Sequence, residues 1–537
     1  MFFRVIRIFA PTVRIPTYIE LLGKTPWTHL LNRQDFLLDP LDTLLQCHDS
    51  FCIHSDSILE LSEKCKEKIM RLWINWFECV KELRGACSRQ RTFVWMAIIL
   101  AAMSVRTECM GVTSLIRSAF LQSIYYKRLL HHFHSNALNI ETLCVMWFRL
   151  VMRIFQPVSI DGFIVMIADG LKVAKEGRKM PAVKSLHQES ANNSKPPYIM
   201  GHSFQTIAML ANGLRGQMFA VPILSRICEG IVWHSGKKKS LLDKLAGMFL
   251  EILQPDSLKA VLLADAYYAS RNIILPLLKK GHHLIARVKT TCVAFYPAPE
   301  EVTRRRGRPR IYGTKTHLRN LFKADHLFAS AASPVYGEKN IIIKYRTISL
   351  LWRPVGRMIR FVLVKHPTRG NMILLCTSLS IDPLTVIRLY GLRFKIEVSF
   401  KQALHTIGAY AYHFWMMTMR PIKRGSGNQN LSSKSADYRQ KVRRKMGAYH
   451  RYVQLGCIAQ GLLQYLAISY WVQVWTSFGS WLRTMKTDMV PSEMVVAQAL
   501  RTSLPDFLLN NVNNSDLKKF ILDHADYDRL PGFKIAA

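Results

Sequence analysis

FIVMIADG, Phe163–Gly170, is a fully apolar run closed by aspartate and glycine. That is the pattern of a buried central strand reaching its end. Before it, residues 1–155 read as helical, with apolar residues spaced three and four apart in Ile58–Leu83, Thr113–Leu121 and Ile124–Phe133. After it, the texture stays strand-like. Tyr198–Leu210 and Gln217–Arg226 flank Asn212-Gly213, a hairpin turn signal. Ser240–Leu253 has helical periodicity, Lys259–Ala264 is a short apolar strand ending in Asp265, Ser270–Lys280 is helical, and His282–Val288 is a further strand. Three strands, helix, strand, helix, strand gives an α/β fold: a mixed sheet with helices on its faces.

Composition narrows the partner. The 537 residues carry 74 Lys and Arg against 36 Asp and Glu, a formal charge of +38 on a chain that is 49% hydrophobic. A folded chain so basic points to a polyanion, most simply DNA; anionic lipid is the alternative. Eleven cysteines without even spacing point to a reducing compartment rather than a disulfide framework. Arginines interrupt every apolar run of the opening MFFRVIRIFAPTVRIP, so no signal-peptide core is read there. Tyr452–Leu482 lacks charge and is long enough to cross a bilayer, but Gln454, Gln460, Gln464 and Gln473 dilute it, and it reads as one or two buried helices. Cys47, His48, Cys52 and His54 match no usual zinc spacing. Gly230–Lys237 has five residues between its glycines where a phosphate-binding loop has four.

The chain divides as follows: a helical DNA-binding region, 1–155; the first part of the core, 156–290; a basic insertion, 291–380; a core helix, 381–414; a basic polar linker, 415–446; and a helical end, 447–537. Val112–Leu121 and Ile124–His134 could form a helix-turn-helix, with Arg117, Lys127 and Arg128 for phosphates. Between Val302 and Gly370 there are 16 Lys and Arg against Asp325 and Glu338, with strand-like runs at Asn340–Trp352, Ile359–Lys365 and Met372–Leu379. Arg304, Arg305, Arg306, Arg308 and Arg310 surround an Arg-Gly-Arg-Pro core that fits a narrow minor groove or, equally, a solvated loop touching phosphates.

The helix in 381–414 carries the chemistry. In LYGLRFKIEVSFKQ, Leu389–Gln402, a turn of about 100° per residue puts Tyr390, Arg393, Glu397 and Lys401 on one stripe. Asp382-Pro383 supplies its N-cap and first-turn proline. Alone, that stripe is a solvated ion-pair ladder, and Asp169 and Asp265 alone are turn caps. Jointly, two aspartates at neighbouring strand ends and a glutamate on a helix across them form a constellation. Converging carboxylates stay ionised only around hard cations. Two Mg²⁺ or Mn²⁺ ions, about 3.5–4 Å apart, would activate a water or sugar hydroxyl and neutralise the leaving oxygen. Asp169, ending the central strand, is expected to bridge them, with Asp265 and Glu397 on either side.

Asp169, Asp265 and Glu397, 96 and 132 residues apart, with Asp265-Ala266-Tyr267-Tyr268 after an apolar strand, resemble the DDE transposases of bacterial insertion sequences. The family's helix signature is Tyr, two residues, Arg, three residues, Glu, six residues, Lys. Tyr390, Arg393 and Glu397 are in register; Leu404 stands where lysine is expected, and Lys401 is one turn after Glu397. The resemblance spans roughly 160–405. It implies a ribonuclease-H-like core interrupted by a β insertion, and an enzyme that nicks element ends and joins the freed 3′-hydroxyl to target DNA. It further implies that Tyr390, Arg393 and Lys401 grip phosphates, that a homodimer forms on DNA, and that the protein is nucleoid-associated in the bacterial cytoplasm. The alternatives are a transposase-derived DNA-binding protein without catalysis and a membrane protein resting on Tyr452–Leu482.

Overall fold

The computed structural model describes residues 71–530 apart from 110, 189–195, 237–238, 300–309 and 510–514. The cluster Cys47, His48, Cys52 and His54, and Arg304, Arg305, Arg306 and Arg308 of the basic run, lie outside the described residues; Arg310 is described and exposed.

Five strands build the core: β1 (Phe163–Ala174), β2 (Tyr198–Asn212), β3 (Met218–Ile227), β4 (Ala260–Ala264) and β5 (His283–Val288). Their lateral order is β3-β2-β1-β4-β5, with β1, β2 and β3 antiparallel and β4 and β5 parallel to β1. The long hairpins carry the antiparallel half. Helices α1 (Leu241–Leu253) and α2 (Arg271–Lys279) precede β4 and β5 and make the crossovers that parallel pairing requires. Ser240 starts α1 with a full capping box to Asp243. This is the ribonuclease-H-like mixed sheet with flanking helices.

The insertion does not stand apart from the core. Its strands β6 (Val293–Pro297), β7 (Tyr312–His317), β8 (Ile342–Trp352), β9 (Arg357–His366) and β10 (Gly370–Cys376) continue the same sheet. β10 pairs antiparallel with β5 from Ile373↔Val288 to Cys376↔Ile285, and β9, β8, β6 and β7 follow outward. Trp352 is 6% exposed, a β-sheet core residue.

Alternation along the strands sorts side chains to two cores. On one face Met166, Ala168, Leu262 and Ala264 pack with Phe249 of α1 and Ile273 of α2. On the other, Val165, Ile167, Val261, Leu263 and Ile285 pack under α3 (Pro383–Gly391) and α4 (Lys395–Gln402), through Ile387, Leu389, Leu392, Ile396 and Phe400. The Asp382 side chain accepts the Thr385 N–H at 2.9 Å and Pro383 opens α3, as the N-cap reading expects. A 3₁₀ turn, Leu392–Phe394, joins α3 to α4, so the single expected helix is two with one tight turn between.

The expected linker is not separate chain. Gln429 and Asn430 pair in parallel with Ile231 and Val232, and α5 (Ala436–Ser469) starts inside it. Gln454, Gln460 and Gln464 of α5 are buried and donate to Ile223 O, Ser399 O and Ala220 O. Buried amides tied to sheet and α4 explain why this uncharged stretch packs inside the protein. Among the described residues no single helix is long and apolar enough to cross a membrane; α5 and Trp471–Ser477 pass that test only together, bent by 101°. Thr113–Ser118 and Tyr126–His134 are both helical, joined through a 3₁₀ turn at Ser123–Tyr125.

Candidate active site

Strand register brings the aspartates together. Ile167 is level with Leu263 in the parallel pair β1–β4, so two residues further Asp169 is level with Asp265. Both fall on the face of Ile167 and Leu263, the one covered by α3 and α4, on strands about 4.8 Å apart. In the next parallel pair Leu263 is level with Ile285, which puts Arg287 level with Asp265 on that same face. Asp265 ends β4 and caps the following 3₁₀ turn by accepting the Tyr267 N–H at 2.5 Å. Asp169 does not end its strand: β1 continues to Ala174, because the β2 partner is long enough to pair it to Gly201. The adjacent Gly170 has a reason. A Cβ there would lie 3.0 Å from the Gln205 amide, which accepts the buried Tyr268 hydroxyl at 2.7 Å.

Glu397 reaches this edge through arginine. Arg393 donates to Asp169 Oδ2 and to Glu397 Oε1, each at 2.8 Å. Arg393 and Asp169 are each about one-fifth exposed, whereas Glu397 is 58% exposed. Burial raises the Asp169 carboxyl above the usual range; Arg393 and the Gly170 N–H oppose this, and the charges of Asp265 and Glu397 push it up further. Asp169 therefore feels both of the other carboxylates. Tyr390 lies in the same field: burial raises its hydroxyl, with Arg393 and Arg287 opposing and Asp265 adding to the rise. Lys401 is exposed one turn beyond Glu397, while Leu404 is partly buried and packs against the hydrophobic core.

Among the described residues no three His, Cys, Asp or Glu side chains already surround one cation position. The donors nonetheless suit a hard divalent ion: three carboxylates at one edge, with burial and mutual repulsion disfavouring the ionised form of Asp169, and one guanidinium between two of them.

Residues 241–408 match the family model described as transposase DDE domain. This segment is similar to transposase DDE domains. It contains Asp265, Tyr390, Arg393, Glu397 and Lys401, and the core strands β4 and β5 with the whole insertion between β5 and α3. Asp169 lies upstream of the matched segment and joins the DDE domain through the pairing of β1 with β4. No curated protein matches the chain.

Arg287 escaped the sequence reading. Its signal was a cation inside the otherwise apolar LIARV of β5, which a buried strand does not place without cause.

Proposed function

We propose that this DDE-domain protein is a metal-dependent DNA transposase that nicks the ends of a mobile element and joins the freed 3′-hydroxyl to target DNA. One observation carries the reading: Asp169 and Asp265 are level on adjacent parallel strands, under the helix that brings Glu397, with Arg393 between. Asp169 would hold two ions in common, and Asp265 and Glu397 one each. Mg²⁺ or Mn²⁺, when bound, supplies activation of the attacking oxygen and neutralisation of the leaving one. Tyr390, Arg393 and Lys401 hold phosphates beside the scissile bond, since a planar guanidinium suits phosphate oxygens in pairs. Arg310, with the basic run before it, extends the contact with the duplex. Synapsis of two ends calls for a homodimer on DNA.

The test is a nicking assay on supercoiled DNA with Mg²⁺ or Mn²⁺. Asp169→Asn, Asp265→Asn and Glu397→Gln should each abolish nicking and leave duplex binding measurable. Full nicking by Glu397→Gln would mean that a different carboxylate completes the set. A second reading, a DNA-binding protein without catalysis, is favoured by the ion pairs that tie Arg393 to two of the three carboxylates. It expects no nicking by the unaltered protein with either metal.

A further inference from the structure

The first part of the expected linker, residues 415–435, is a strap clamped to the core. Met416 N donates to Lys179 O at 2.9 Å, Ile422 N to Arg178 O at 2.7 Å, Gln429 N to Gly230 O and Leu431 N to Val232 O, each at 2.8 Å. The Gln429 amide also donates to Val183 O at 2.9 Å. Met416, Met419, Ile422 and Leu431 are buried beneath it. What the strap presents outward is cationic. From 415 to 445 there are nine Lys and Arg and one acid, Asp437. Arg420, Lys423, Arg424 and Lys434 are exposed, and their side chains make no ion pair or hydrogen bond among the described residues. Arg420, Lys423 and Lys434 line one open groove of about 610 Å³ together with Ser426, Asn428 and Asn430. Arg178, exposed on the loop that the strap grips, adds another cation without a partner among the described residues.

Cations crowded on a rigid surface repel one another and destabilise the free protein. Surface lysines and arginines commonly relieve this by pairing with carboxylates, but the strap itself carries four Lys and Arg and no acid, and Asp437 just beyond it pairs with Lys441. A polyanion with regularly spaced charges relieves it instead. The strand that carries Asp169 runs on to Lys175, whose buried ammonium donates to Tyr410 O and Tyr412 O, and into the loop that the strap grips.

We propose that the strap, through Arg420, Lys423, Arg424 and Lys434, binds the phosphate backbone of duplex DNA. This rests on the transposase reading for its choice of polyanion. The grip is sequence-independent, because every contact is to phosphate.

The experiment measures binding of the full chain to a fluorescent 30-base-pair duplex of arbitrary sequence across a salt series. The combined Arg420→Gln, Lys423→Gln, Arg424→Gln variant should lower the slope of log affinity against log salt by about 2.7, roughly 0.9 per lost contact. Affinity near 0.1 M salt should fall at least tenfold. Lys279→Gln with Lys280→Gln, at the opposite end of the strands, should leave the slope unchanged, and circular dichroism should show both variants folded. An unchanged slope in the triple variant, with the unaltered protein binding duplex, overturns the strap and leaves the transposase reading standing. An unaltered protein that binds no duplex overturns both. Loss of binding to phosphatidylserine vesicles without loss of duplex binding assigns the strap to a membrane and overturns the proposal.

Discussion

Arg393 shows how one side chain can serve two states of a site. Its guanidinium supplies the cation that Asp169 and Glu397 need when nothing else is there, at 2.8 Å from each. On the transposase reading, a metal ion would compete for the two carboxylates and a DNA phosphate for the guanidinium. Arg393→Gln should therefore tighten Mn²⁺ binding by the DNA-free protein about tenfold, read by calorimetry, since a neighbouring unit charge is worth on the order of 1–4 kcal/mol at these separations. The same change should weaken duplex binding. An unchanged Mn²⁺ affinity would sink the competition. Arg287, level with Asp265, has an exposed head and no carboxylate within salt-bridge distance among the described residues. Arg287→Gln should weaken duplex binding several-fold with Mn²⁺ affinity unaltered or raised. The stripe Tyr390, Arg393, Glu397 was legible in the sequence because helical spacing is local. That Arg393 turns inward to Asp169 was not, since the partner is 224 residues away.

Helix α5 shows what elements resolve. Its glycines look alike in sequence and differ in place. An added Cβ on Gly456 would lie 2.5 Å from the Ala409 Cβ and 2.7 Å from its Cα. On Gly447 the nearest contact is the movable Arg451 guanidinium at 3.3 Å. Replacing a helical glycine by alanine gains about 1 kcal/mol from propensity, while overpacking a core costs about 1–3 kcal/mol. Gly456→Ala should thus lower stability by up to about 2 kcal/mol and Gly447→Ala raise it by up to about 1 kcal/mol, measured by urea denaturation. Many strand and helix positions were readable from periodicity, including the insertion strands β8, β9 and β10 but not β6 and β7. The length of β1 was not, because its polar second half, Asp169–Ala174, is held as strand by β2 and not by its own residues.

For the molecule as a whole, buried histidines set the response to acid. Burial lowers His202 to about 4 and His450 to about 3. His450 Nε2 accepts the Ile227 N–H at 3.1 Å, which requires that nitrogen to be unprotonated. Below pH 6.5 the unfolded chain takes up protons that these rings refuse, so stability present above pH 6.5 is lost as pH falls toward 4 and 3. At pH 5 each contributes a loss of roughly 2 kcal/mol. His450→Gln, which keeps an acceptor for Ile227, should reduce the drop in denaturation midpoint between pH 7 and pH 5; an identical drop would contradict this. Lys175 works in the same direction at higher pH. Burial lowers it to about 8, so the folded state releases its proton first and stability rises between pH 8 and the ordinary lysine range. The local pattern of residues by itself determined the α/β class, the acidic strand end at Asp265 and the helix that bears Glu397, because apolar periodicity and capping act over a few residues. Only the tertiary structure decided that the insertion prolongs the core sheet, that residues 415–435 are bound to it, and that an arginine mediates between two acids. Those outcomes depend on pairing and ion contacts between distant segments, which spacing along a chain does not encode.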